Sequence, residues 1–436
     1  MLKLERASWR KAAKVAARYW GLVPAVLIAL ALFAKLHPKV YQFDYYISDE
    51  IWYATSSRNV LAKYLGVNVT VSYETTNESF AYPKHVSLDY CNLEHPPLPK
   101  YLIGLCYLLF GYWPWSWRYP SLVLSSALPL LAYFAARKLG GEAAGVVSSL
   151  FVYFDPMVNN MGFVAFLDVY LGFFALLTFV FVAYDKEKLS FIGEGLALSS
   201  KWNGVFFAPL LLLRDFKNGV PVAKSVARTA AFVFLVYLVI NAPLLVVDGP
   251  LTWVNNHYHY IFSWHLREKA HMIIEEPGAK DWRQFICDPL GWMFNKNPWP
   301  LYYQKVNVTT ESGSRVEYVL VKAEMLVPVS YAFWALVGLC LPLLRPRFWK
   351  KHYGVFLYFA FPLSFLGGHL LLWAIGTISQ LSFYAFPLAV ALDVAVPSVA
   401  VWCAAHYDEL FQEWKSLLRW VLGKEAVVSQ QVPLKA

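Results

Sequence analysis

Two acidic residues follow the first long apolar segment directly, in Ser48-Asp49-Glu50-Ile51-Trp52. Carboxylates this close to a bilayer are costly and mark function by default. Adjacent positions on a helix diverge by ~100°, so Asp49 and Glu50 do not form a matched acid–base pair on one atom. One can face a substrate while the other anchors the loop. The plainer reading of such a pair is a solvated loop start. Tyr45, Tyr46, Trp52 and Tyr53 weigh against it, because an aromatic, partly dry setting moves a carboxylate toward the range useful to a general base.

The same loop continues to Glu94-His95-Pro96-Pro97-Leu98-Pro99-Lys100. Consecutive prolines stiffen the backbone and cannot continue a helix, so His95 and Lys100 are delivered to a fixed place. A lysine there can hold a lipid phosphate as a point charge; a basic anchor to headgroups is the plainer alternative. Asp168, in Phe166-Leu167-Asp168-Val169-Tyr170, and Lys201, in Ser199-Ser200-Lys201-Trp202-Asn203-Gly204, stand at span ends. Both are functional candidates, set against a helix cap for the acid and snorkelling for the lysine. Arg118 opens a later span and can pair with any of these acids. His257, His259 and His265 stand near Asn255, Asn256 and Tyr258. Their irregular spacing argues for a sugar or peptide platform over a metal site.

These residues need a membrane to organise them. The 436 residues are 58% hydrophobic and only 15% charged, against about a quarter charged in soluble domains. Apolar runs cover 19–36, 119–137, 142–158, 166–184, 189–199, 203–213, 227–247, 325–344, 353–374 and 379–404. The net charge of +9 falls in short loops, where it orients spans, and does not point to nucleic acid. Residues 1–18 form a basic segment, and the first span reads as a retained anchor with its amino terminus inside. Basic loops at Arg137-Lys138, Lys186/Lys188, Arg214–Arg228 and Arg345–Lys351 all become cytoplasmic if 98–113 lies along the outer face instead of crossing. Trp113, Trp115 and Trp117 suit such an interfacial position.

The transmembrane domain then occupies 19–404, with outer loops at 37–118 and 248–324, and the amphipathic tail 405–436 lies on the cytoplasmic surface. Asn68, Asn77 and Asn307 head glycosylation tripeptides in the outer loops. Cys106, Cys340 and Cys403 read as packing residues. A disulfide between Cys91 and Cys287 stays open. No Cys-x-x-Cys, P-loop, Gly-x-Gly-x-x-Gly after a strand or Gly-x-Ser-x-Gly occurs, which removes support for nucleotide-driven transport and serine hydrolysis.

Asp49-Glu50, His95-Pro96-Pro97-Leu98-x-Lys100 and Trp117-Arg118-Tyr119-Pro120-Ser121 resemble the first-loop motifs of the protein O-mannosyltransferases. Leu167-Asp168-Val169-Tyr170-Leu171, Ser200-Lys201-Trp202-Asn203-Gly204 and Ser382-Phe383-Tyr384-Ala385-Phe386-Pro387 continue the match in order, and Asn297-Pro298-Trp299-Pro300 is similar to that family's Trp-Pro element. The chain departs from the family in two respects. Its second outer loop is too short for β-trefoil MIR domains, and Pro99 stands where a glycine precedes the motif lysine.

The resemblance implies an all-α polytopic membrane protein, a GT-C-type bundle of about ten or eleven transmembrane helices with interfacial helices in the first outer loop. It implies transfer of a hexose, mannose by family, from a polyprenyl or dolichyl monophosphate to an acceptor hydroxyl, with inversion. The acceptor would be protein Ser/Thr or a glycan, the enzyme archaeal or bacterial, and the face of the plasma membrane the outer one. Asp49 would bind the acceptor and take its proton, and Glu50 would position the loop or the acceptor. Lys100, Lys201 and Arg118 would neutralise the leaving phosphate; His95, Asp168 and Trp299 would shape the pocket. No cofactor or metal is then required. Two alternatives stand beside this. One is an oligosaccharyltransferase-like or lipid- or glycan-modifying GT-C enzyme, for which a Trp-Trp-Asp element is missing. The other is a polytopic transporter, for which mid-membrane charges and inverted repeats are expected.

Overall fold

The structure is a computed structural model, and it describes residues 19–71, 89–259, 284–310, 313–344, 351–377 and 380–422. Helices form on the segments read as spans and also, as α2 and α3, within the first outer loop: α1 (Leu22–Leu36), α2 (Glu50–Leu65), α3 (Leu98–Phe110), α4 (Pro114–Phe154), α5 (Pro156–Met161), α6 (Leu167–Ala183), α7 (Glu187–Ser200), α8 (Ala208–Lys217) and α9 (Val222–Asp248). After the second loop come α10 (Val327–Leu339), α11 (Tyr353–Ala374), α12 (Phe386–Ala405) and α13 (Tyr407–Val421). Among the described residues, five helical stretches are long and apolar enough to cross a bilayer: Leu22–Tyr41, Pro114–Phe154, Val222–Asp248, Tyr353–Ala374 and Ser382–Ala405. The chain is an integral, multi-pass membrane protein.

The expected span 119–137 and most of 142–158 fall within α4, and the end of the second falls in α5. Gly141 interrupts α4 at φ 76°, a left-handed angle that glycine adopts without a Cβ penalty. The chain reverses there. Ser149 Oγ donates to Pro129 O across the two arms at 2.7 Å, and Gly145 lets the Tyr133 ring pack against its Cα. α3 has 13 residues; at ~1.5 Å each it reaches about 20 Å, short of a ~30 Å hydrocarbon core. Its Leu105, Leu108, Leu109 and Phe110 face outward, while Lys100, Ile103 and Tyr107 are buried.

Basic loops gather at one end of the bundle. Lys217 pairs with Asp185 at 3.0 Å and sits over the Tyr353 ring. Lys138 sits over Tyr184, whose hydroxyl donates to Phe134 O. Arg137 pairs with Glu142, and Arg228 with Glu187. α13 folds back there, with Trp414 Nε1 donating to Leu339 O at 2.8 Å and Glu409 pairing with Lys351. Residues 423–436 of the expected tail lie outside the described residues, as does the segment 1–18.

The second loop adds a small element to the otherwise helical fold. β1 (Pro300–Thr310) and β2 (Gly313–Lys322) form an antiparallel hairpin. Its β-branched and aromatic residues, such as Tyr302, Val306, Val316, Tyr318 and Val321, suit a pleated strand. Tyr302 fixes one face by packing on Phe43 and Phe163. Where the chain leaves the hairpin, Asn160 donates to Lys322 O, Asn295 bonds Met325 through both side-chain groups, and Asp155 accepts from Leu326 N. Cys91 and Cys287 are both buried free thiols, so no disulfide joins the loops. Cys340 and Cys403 are buried with sulfurs 3.5 Å apart. Asn68 is exposed on the first loop; Asn77 lies outside the described residues, and Asn307 lies in β1.

Candidate active site

At the opposite end of the bundle from the basic loops, Asp49 caps α2 and Glu50 starts it. The two side chains diverge, as adjacent helical positions must. Glu50 turns inward and is fully buried. Its oxygens accept from Arg118 Nη2 at 2.7 Å and Nε at 3.0 Å, from Ile47 N at 2.9 Å, Ala165 N at 3.0 Å and Trp117 Nε1 at 3.3 Å. Arg118 spends its remaining N–H groups on Phe43 O, Tyr45 O and Val40 O. A buried ion pair is tolerated when every donor and lone pair is met, and this one is. Glu50 therefore anchors the loop. Arg118 departs from its expected phosphate-binding place, because its guanidinium is fully buried and aimed at the loop backbone.

Lys100 departs in the same way. It is fully buried on the first turn of α3. Its ammonium donates to Asn92 O at 2.6 Å, His95 O at 2.7 Å and Pro96 O at 3.4 Å. Burial pulls its pKa down to about 7 against the opposing pull of Glu94. The lysine staples the proline-rich loop, and the staple presents His95 beside Tyr53, with ring centroids 6.0 Å apart. Tyr53 OH in turn lies 3.4 Å from Asp49 Oδ2.

Lys201 and Asp168 do meet. Asp168 lies in the first turn of α6, and Lys201 ends α7 in an extended conformation. Gly204 lets the following turn pack against Ala197, which aims Lys201 back at α6. Its Nζ is 2.8 Å from both Asp168 oxygens and 3.7 Å from the Tyr384 ring centroid. Burial pulls the Lys201 ammonium below its ordinary pKa, while Asp168 and then Asp49 pull it back. The charge of Asp49 thus acts on Lys201. Trp202 Nε1 donates to Glu94 O at 3.1 Å, tying this turn to the first loop.

Trp299 completes the group. It is buried below the hairpin, edge-on to Phe383 at 5.7 Å, and its Nε1 donates to Ser48 Oγ at 3.0 Å. Asp49, Lys201, Asp168 and Trp299 therefore converge, with His95 one ring away. Glu50, Arg118 and Lys100 lie behind them in the scaffold.

Sequence reasoning passed over His369, which is buried in α11. Its Nδ1 is 2.8 Å from Gln380 Oε1, and its Nε2 is 2.8 Å from Asn203 Nδ2. It thereby braces the residue two positions beyond Lys201. A histidine inside an apolar helix was the available signal. The same signal marks Glu194 in α7 and Asp393 in α12, both buried with no partner for either carboxylate oxygen. His257 is buried with both ring nitrogens unpartnered and packs on Trp253; the side chains of His259 and His265 lie outside the described residues. Among the described residues no three His, Cys, Asp or Glu group as metal ligands.

Residues 94–246 match the family model described as dolichyl-phosphate-mannose-protein mannosyltransferase. Over that stretch the chain is similar to these mannosyltransferases. The matched stretch holds the proline motif, Arg118, Asp168 and Lys201; Asp49, Trp299 and Ser382–Pro387 fall outside it. A polyprenol-phosphate-mannose–protein mannosyltransferase from Mycolicibacterium smegmatis (strain MKD8) is 24% identical over 177 residues, 39% of this chain and 33% of that protein. The match thus spans a third of that relative's length. Among solved structures, ArnT from Cupriavidus metallidurans bound to undecaprenyl phosphate aligns with 95% of this chain and 67% of its own, at 18% identity and a TM-score of 0.48. The oligosaccharyltransferase AglB from Archaeoglobus fulgidus, in complex with an inhibitory peptide and a dolichol-phosphate, aligns with 94% of this chain and 53% of its own, at 14% identity and a TM-score of 0.49.

Proposed function

We propose that the chain is a membrane glycosyltransferase that moves a hexose, mannose by its relatives' names, from a polyprenyl or dolichyl monophosphate to an acceptor hydroxyl, with protein Ser/Thr as the acceptor class. One observation carries the reading: Asp49 and Lys201, each nearly buried, border one cluster, since Ser48 beside Asp49 accepts from Trp299, and Trp299 packs on Phe383, whose ring lies 5.8 Å from the Lys201 ammonium. The acceptor hydroxyl gives its proton to Asp49. Its oxygen attacks the anomeric carbon as the bond to the phosphate oxygen breaks, and the phosphate leaves with that electron pair. Lys201 faces the charge that develops. Asp168 takes two of its three N–H groups and aims the remaining one. Preorganised charge in a water-poor site is worth more than in solution. A single attack inverts the anomeric centre.

In this reading Arg118, Glu50 and Lys100 order the first loop, while His95 and Trp299 wall the pocket. The active site faces the outside of an archaeal or bacterial plasma membrane, and the lipid carrier reaches it from the bilayer. A panel of lipid-monophosphate sugars and Ser/Thr peptides, read by mass spectrometry of the products, tests the reading. Glycopeptide with inverted linkage is expected; absence of transfer from every lipid monophosphate would overturn it.

The transporter reading draws on Glu194 and Asp393, acids in apolar helices without carboxylate partners. Ion or proton flux in sealed vesicles, lost in Glu194→Gln, would favour it; the transferase reading expects none.

A further inference from the structure

Ser48 holds φ at 50°, an angle that L-residues seldom adopt. Such a conformation persists only where its surroundings over-determine it. Two contacts do so here. The Trp299 indole N–H donates to Ser48 Oγ at 3.0 Å, and Ser48 Oγ–H reaches toward Asp49 Oδ1 at 3.5 Å. Ser48 and Trp299 are each 2% exposed, so water does not compete for either contact.

Trp299 is itself pinned. Its backbone N–H donates to Ser382 Oγ at 2.8 Å, and its carbonyl accepts from Ala323 N at 2.8 Å. Ser382 Oγ–H passes on to Ala323 O at 2.9 Å. Trp299 and Ala323 are thus the rung next to Pro300↔Lys322, which closes the hairpin. Ser382 also opens the 3-10 turn Ser382–Ala385. That turn carries Phe383 against Trp299 and Tyr384 under Lys201. The base of the hairpin therefore touches the neighbour of the proposed base on one side and, on the other, Phe383, whose ring lies 5.8 Å from the proposed phosphate cation.

The geometry points to Ser48, Trp299 and Ser382 as positioning residues: a hydrogen-bonded latch through which the base of the hairpin sets the Asp49 carboxylate against Lys201. This rests on the glycosyl-transfer reading above. A general base must lie within hydrogen-bond reach of the proton it takes, and a misplacement of about 1 Å can cost ~100-fold in rate. The hydroxyl of Ser48 holds one oxygen of Asp49 and Tyr53 holds the other, which fixes the rotation of the carboxylate. Because one rung bonds both sides, the acceptor half and the donor half of the site are held in register by the second loop.

The test uses the full chain in lipid discs with a polyprenyl-phosphate hexose and an acceptor peptide. Trp299→Phe keeps an aromatic ring at this position and deletes the indole N–H together with the five-membered ring that carries it. Ser48→Gly accepts the positive φ without strain and deletes the whole hydroxymethyl side chain, Oγ included. Each should lower kcat about ten-fold, the worth of one well-placed hydrogen bond, with donor KM held within about two-fold of wild type. The double variant should be no slower than the slower single, since both cut one chain of bonds. Ser382→Ala should fall likewise, and Ser382→Thr should recover. Asp49→Asn separates the two claims. If it transfers normally, the reading of Asp49 as the base fails. If it is inactive while Trp299→Phe and Ser48→Gly keep wild-type kcat, or their losses multiply, the latch is wrong and the transfer reading stands. A second readout needs no turnover. Amide exchange over residues 46–52 should quicken in Trp299→Phe and stay unchanged over 167–183; unchanged exchange at 46–52 would overturn the latch.

Discussion

Glu50 and Asp49 are neighbours of the same charge, yet the fold gives them opposite tasks. Glu50 is enclosed by Arg118, two backbone N–H groups and the Trp117 indole, while Asp49 stays at the edge of the site near Lys201. The consequences of mutation should separate accordingly. Glu50→Gln strands the Arg118 guanidinium in the interior, and breaking such a pair costs about 3–5 kcal/mol; thermal unfolding in detergent should show a large fall in midpoint. Asp49→Asn should leave the midpoint much closer to wild type while lowering transfer ~100-fold or more, the range of a lost general base. The divergence of the two carboxylates was legible from helical geometry. Which one turns inward was not, because that depends on Arg118, some 70 residues away in sequence. Lys100 and Arg118 show the same limit. Sequence gives a charge near a membrane, but only the fold reveals that backbone carbonyls surround it.

Among the elements, the longer spans were readable because long apolar runs require burial, while α2 lies in a stretch read as an outer loop. The hairpin was not foreseen. Its alternating residues lie in a polar loop that was read for its histidines, tryptophans and prolines, and β pairing depends on a partner strand more than on local propensity. Two substitutions probe elements directly. Lys100→Met leaves three carbonyls of the proline-rich loop without their donor; at about 1–3 kcal/mol per unsatisfied buried group, exchange over residues 90–97 should rise sharply. Gly141→Val forces a β-branched residue to φ 76° and should cost roughly 1–3 kcal/mol, again read as a lower unfolding midpoint. Full retention of stability in either case would remove the role given to that residue.

At the scale of the whole molecule, ion pairs of the basic loops mark one end and the acid–cation group marks the other, which is the arrangement a one-sided membrane enzyme requires. Sidedness has its own check. In intact cells, a membrane-impermeant maleimide should label Tyr303→Cys, on the hairpin, and should label Lys186→Cys only after permeabilisation; the reverse pattern would invert the topology. The central claim is that Asp49 and Lys201 divide one transfer between them, base on the acceptor and cation on the phosphate. Single-turnover transfer measured beside donor binding, in Asp49→Asn and in Lys201→Met, tests it most directly. The account predicts that Asp49→Asn binds the lipid-phosphate sugar as wild type does and fails to transfer it, while Lys201→Met loses ~100-fold in the transfer step and weakens donor binding. Normal transfer by Asp49→Asn, or undiminished donor binding and transfer by Lys201→Met, would contradict it.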